Sequence, residues 1–151
     1  MLAAIRGPGQ DFPVLLHIVG ATVVFGALLA SATSLALARG ETRLLRLGYF
    51  SLLFVGLPAL ILLRLSAQWI YTKEGWDNVP DKFQPTWLSI GFVVADYGGL
   101  LLLLALVLGG IGVFRLRSGK GATLLKVTMV ISLVLILAYV VAVWAMTGKP
   151  N

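Results

Sequence analysis

The chain has 151 residues, of which 59% are hydrophobic and only 12% charged, with a formal net charge of +6. Its mean hydropathy of +0.97 lies outside the range of soluble domains and predicts an integral membrane protein of one domain. The absence of cysteine excludes disulfides, thiolate metal sites, covalent haem attachment motifs and thiol nucleophiles.

Four apolar runs, at residues 14–38, 47–70, 87–114 and 124–146, each approach the length of about 20 residues that an α-helix needs to cross about 30 Å of hydrocarbon. None alternates with period two, which argues against a barrel. The predicted fold is therefore all-α, a bundle of four transmembrane helices with both termini on the same side. The first run is expected to be retained: its apolar stretch is longer than the roughly 7–15 residues of a cleaved signal sequence, and its basic flank follows it. One face of that span carries His17, Gly20, Val24, Ala27, Ser31 and Ser34. Such small-residue stripes let membrane helices approach closely, so this face is predicted to point into the bundle and take His17 with it.

The first connection, RGETRLLR, sets Arg39, Arg43 and Arg46 against Glu41. Span two follows, with Arg64 about five residues, or roughly 8 Å, below Trp69. Leu57, Ile61, Arg64, Gln68 and Tyr71 recur on it at helical spacing, and Pro58 is a candidate kink beneath the arginine. The next connection, YTKEGWDNVPDKFQPT, balances Lys73 and Lys82 against Glu74, Asp77 and Asp81. These acids match no calcium-loop spacing. The same segment, with Trp76 and Phe83, is long enough to lie on the bundle as a lid.

Span three holds the only acid within a span, Asp96, about nine residues or roughly 13 Å below Trp87. Helical side chains lean toward the N-terminus of their own helix, so Arg64 leans deeper and Asp96 shallower. The two are predicted to pair, because each charge alone costs on the order of 2.5–3.5 kcal/mol near a helix centre. Asp96 shares a face with Gly99, and Gly98 offers another close approach. Further on, GGIGVF lacks the spacing and preceding strand of a phosphate loop and is read as helix packing. The connection RLRSGKGATLLK then carries Arg115, Arg117, Lys120 and Lys126 without an acid. Span four adds Tyr139, about five residues below Trp144 and near the depth of Arg64.

Positively charged connections stay in the cytoplasm, which puts both termini, the 72–86 connection and all four tryptophans on the outer side. Anionic lipid headgroups are then the natural counterions of the net charge, and no nucleic acid is called for. LLRL with a later WIYTKEG echoes LLKV with a later WAMTGKP at a different spacing, a faint mark of two parallel halves.

The stretch HIVGATVVFGALLA, followed by three more spans, resembles the small four-helix bacterial membrane modules related to the copper-resistance D group and similar families of unknown function. The match covers mainly span one. The resemblance implies a multi-pass protein of the bacterial inner membrane. In related haem-type bundles several histidines on facing helices hold the cofactor. With His17 alone, haem is not expected within one subunit, although a symmetric dimer supplies His17 twice.

Three readings follow. The first is a non-enzymatic membrane protein whose outward-facing polar pocket, made of Arg64, Asp96, His17, Gln68 and Tyr139, binds or conducts a small solute or an anionic headgroup. The second is an accessory or scaffold subunit of a homo-oligomer or membrane complex, in which the pair only sets register. The third is an oligomeric haem or redox module built on His17. No metal site and no catalytic constellation is predicted, since the sole histidine has no identifiable nucleophile partner.

Overall fold

A computed structural model of the chain describes residues 11–149, apart from the side chain of Asp81. Among the described residues there are four long helices and no strand: α1 (Asp11–Leu37), α2 (Thr42–Lys73), α3 (Thr86–Arg115) and α4 (Ala122–Gly148). All four are long and apolar enough to cross a membrane. Single 3-10 turns at Trp76–Asn78, Asp81–Phe83 and Leu116–Ser118 shape the connections.

The second helix begins at Thr42, earlier than the apolar run suggests, for a local reason. Its first turns are amphipathic: Leu45 and Gly48 are buried while Arg43 and Arg46 remain exposed. A bundle-facing stripe thus carries the helix through a stretch that hydropathy alone reads as a loop. At its other end α2 stops at Gly75, whose φ of 75° is the left-handed conformation that only glycine adopts without strain.

Pro58 leaves its mark on α2 as a π turn over Leu52–Gly56, in which the Leu57 N–H reaches back to the Leu52 carbonyl. Proline has no N–H, and its ring clashes with the carbonyl four residues earlier. A widened turn just before it relieves both problems without ending the helix, and π turns are recognised points of re-aiming within helices.

Ring contacts define the two ends of the bundle. Phe12 meets Trp69 edge-on at 6.2 Å, Trp76 meets Trp87 at 6.1 Å, and the Lys149 ammonium lies 5.4 Å from the Trp87 ring. Asp11, Lys149 and the 74–85 connection therefore share a tryptophan-rich end. At the opposite, basic end, Leu45 and Leu125 close on Leu35 and Ala38 in one buried cluster.

Between the ends, α1 packs along α2 and α4, and α4 packs along α3. Small residues make this possible. Gly20 is so close to α2 that a Cβ there would lie 2.9 Å from the Leu63 backbone nitrogen. Along the α3–α4 seam, buried Thr128 donates to the Ala105 carbonyl at 3.3 Å and faces Gly109. The core behind these seams contains Val24, Leu28, Leu52, Leu63, Leu102, Leu135 and Tyr139.

Helices α2 and α3 behave differently. They meet near the basic end, where the Tyr49 ring would be 2.7 Å from a Cβ on Gly109, so the glycine run does serve helix packing. Toward the tryptophan-rich end close backbone approaches between them are few. Only side chains bridge the cleft there, and Gly98 and Gly99, at ordinary van der Waals distance from Leu135 and Leu60, are not points of unusually close approach.

Candidate functional site

Arg64 lies nine residues before Lys73 and Asp96 ten residues after Thr86, so both sit roughly 14 Å along their helices from the tryptophan-rich end. Across the α2–α3 cleft the Arg64 Nη2 and Asp96 Oδ1 atoms are 2.7 Å apart. That is the length of a charge-assisted hydrogen bond. The opposite leans of the two side chains close the gap that the backbones leave open.

Two aromatic rings complete the bridge. Phe92 is one turn from Asp96 on α3, and its ring centroid lies 5.6 Å from the Arg64 guanidinium carbon, within cation–π range. Tyr71, two turns beyond Arg64 on α2, packs edge-on against Phe92 at 5.1 Å. Its hydroxyl accepts a hydrogen bond from Gln84 of the connection at 3.0 Å, and the same Gln84 amide donates to the Val79 carbonyl at 3.1 Å. A continuous column thus runs from the 74–85 connection through Tyr71 and Phe92 to the ion pair.

The guanidinium is incompletely satisfied. Its Nη1 atom is buried and has no hydrogen-bond partner, although an arginine presents five N–H donors. Meanwhile 41% of the Arg64 side chain and 54% of the Asp96 side chain lie on the outer surface of the bundle. The pair is therefore at the rim of the cleft, and the centre of the bundle is filled by the apolar core.

The remaining expected members of the site do not converge on the pair. Gln68 is exposed, as is Ile61, because the α2 face turned toward α3 runs through Leu60, Arg64 and Tyr71. Tyr139 is buried in the core among Leu63 and Leu135, with no hydrogen bond linking it to Arg64 or Asp96. His17 is half-buried on the α1–α2 seam beside the Leu63 backbone, and its Nδ1 is buried without a partner. It is thus next to the residue preceding Arg64 in the chain, on the other side of α2.

Phe92 and Gln84 escape a reading of the sequence. Phe92 carries a usable signal, its four-residue spacing from Asp96; Gln84 lies in an irregular connection and carries none. The connection does not cover the pair as a lid: Trp76 leans on Trp87, and Phe83 is exposed. Asp81, one of its three acids, has its side chain outside the described residues, while Glu74 accepts from the Trp76 indole at 2.9 Å. Among the described residues no three His, Asp or Glu side chains gather as metal ligands. No family model, curated protein or solved structure matches the chain.

Proposed function

We propose that the chain is a multi-pass protein of the cell membrane, with its basic end in the cytoplasm and its tryptophan-rich end outside, and that the α2–α3 cleft binds an anionic group at Arg64. The positive-inside rule supports the orientation, and the likeness of the first span to bacterial modules supports a bacterial inner membrane. The observation that carries the reading is the buried, unpartnered Arg64 Nη1 beside an Nη2 already held by Asp96. A buried donor left unmade costs about 1–3 kcal/mol, and more when charged. An oxygen of a small anion or of a lipid headgroup relieves that cost, while Asp96 fixes the guanidinium and limits how much negative charge the cleft accepts.

The test is nitrogen-detected NMR of the arginine guanidinium groups in neutral phosphatidylcholine nanodiscs. Titration with inorganic phosphate and with short-chain phosphatidylglycerol should move the Arg64 resonance saturably with at least one of them. Arg64→Lys should fold and lose the response, because an ammonium lacks the planar fork. An Arg64 resonance indifferent to both ligands would refute the reading.

A second reading rests on a different observation, the outward exposure of the pair. Ion pairs in spans face a bundle interior or a water-filled space, so a second copy or another membrane subunit lying over the α2–α3 cleft also accounts for an exposed Arg64 and Asp96. In that case the pair sets the register of assembly.

A further inference from the structure

At the basic end, a cavity of about 360 Å³ opens between the end of α1, the start of α2 and the start of α4. Its walls divide by chemistry. Leu35, Leu45 and Leu125 form an apolar floor, while Arg39 and Lys126 line the opening. Arg39, Arg43 and Lys126 are exposed, and across residues 38–46 and 115–126 Glu41 is the only acid against Arg39, Arg43, Arg46, Arg115, Arg117, Lys120 and Lys126.

Among the described residues no carboxylate forms an ion pair with these cations. Among the described residues the one side-chain ion pair is Arg64 with Asp96 at the far half of the bundle, so Arg39 and Lys126 face the cavity without a carboxylate. Nor does packing require them there, since the buried cluster of Leu35, Ala38, Leu45 and Leu125 is already closed beneath. Water alone accounts poorly for this combination, because an apolar floor gives it few partners.

From this we infer that the cavity is a binding site for one anionic phospholipid, with the headgroup phosphate held between Arg39 and Lys126 and the glycerol end of the acyl chains against Leu35 and Leu125. Basic pockets between membrane helices at the headgroup level suit such lipids. The amphipathic lining favours a lipid over free phosphate, which has no use for the apolar floor. The position is also correct in depth: Arg39 and Lys126 flank the ends of spanning helices, where headgroups lie.

The inference does not depend on Arg64, and the experiment keeps the two apart. Native mass spectrometry of the full chain in detergent, titrated separately with phosphatidylglycerol, phosphatidylcholine and inorganic phosphate, should give one tightly retained phosphatidylglycerol adduct. The double variant Arg39→Gln/Lys126→Gln should weaken that adduct at least tenfold, the charge-preserving Arg39→Lys/Lys126→Arg should restore it, and Arg64→Lys should leave it in place. Circular dichroism and gel filtration identify any variant that fails to fold; the charge-preserving pair then decides. In the Arg64→Lys background, where the α2–α3 cleft no longer responds, equal retention of phosphatidylcholine, an adduct unaffected by the double glutamine change, or phosphate binding that phosphatidylglycerol does not displace would each overturn the assignment.

Discussion

A guanidinium within an apolar span persists only if something offsets its dehydration, and Arg64 has two partial answers: Asp96 at 2.7 Å and the Phe92 ring. The stronger is the carboxylate. Removing one member strands the other charge, whereas removing both leaves an apolar seam of similar volume. Arg64→Met and Asp96→Leu should therefore each destabilise the protein by about 2.5–3.5 kcal/mol, the lenient cost of one unpaired charge within a span. The double variant should recover most of the loss, as a double-mutant cycle in detergent unfolding would show. Additive losses would mean that the pair contributes nothing as a pair. The same double variant, if folded, should bind no anion at the cleft, which separates the stabilising role of the two groups from the binding role.

At the scale of the helix, close approach decides what each glycine is for. Gly20 and Gly26 stand on the same helix, yet a Cβ at Gly20 meets the Leu63 backbone while one at Gly26 meets nothing within 4 Å. Gly20→Ala should force α1 and α2 apart and cost about 1–3 kcal/mol. Gly26→Ala should be neutral or stabilising by up to about 1 kcal/mol through helix propensity. Thermal unfolding of both variants in one detergent checks the contrast, and equal effects would show that the seam is not tightly packed. Displacement at Gly20 should also disturb the site, since Leu63 is the neighbour of Arg64 in the chain and of His17 in space.

What could be read in advance follows from the same geometry. Depth is legible because helix rise converts residue number to distance, so Arg64 at roughly 8 Å and Asp96 at roughly 13 Å could be predicted from sequence alone to meet through their opposite leans. Rotation is not. The spans are apolar on almost every side, as the exposed Leu15, Ile18, Leu65 and Leu137 show, and a helix that is apolar all round has no polar face to report its orientation. The small-residue stripe of α1 was the exception: Gly20, Val24, Ala27 and Ser31 are all buried, because small size marks a seam where hydrophobicity cannot. On α2 the buried stripe runs through Gly48, Gly56, Ala59 and Ser66, a small-residue marker that grouping Ile61, Arg64 and Gln68 by spacing passed over; Gln68, assigned to the site, turns outward, as does Ile61. Tyr139 shares the depth of Arg64 but belongs to the core.

The molecule as a whole is polarised along its long axis. Cations collect at the 38–46 and 115–126 connections, while the 74–85 connection mixes Lys82 with Glu74, Asp77 and Asp81. Attraction to an anionic cytoplasmic leaflet is worth about 1 kcal/mol per basic residue near the surface, and loop cations also bias insertion itself. Both effects push in the same direction, because the seven cations of the 38–46 and 115–126 segments outnumber Lys73, Lys82 and Lys149 at the tryptophan-rich end. The natural absence of cysteine makes the consequence simple to measure, because a single introduced thiol is the only site for a maleimide. In intact cells a membrane-impermeant maleimide should label Asp77→Cys and Thr147→Cys, both exposed at the tryptophan-rich end. Ser118→Cys, exposed at the basic end, should react only after permeabilisation. The reverse pattern would place the Arg64 cleft in the inner half of the membrane and its anion on the cytoplasmic side. Labelling of all three in intact cells would indicate mixed insertion, which so one-sided a charge distribution should prevent.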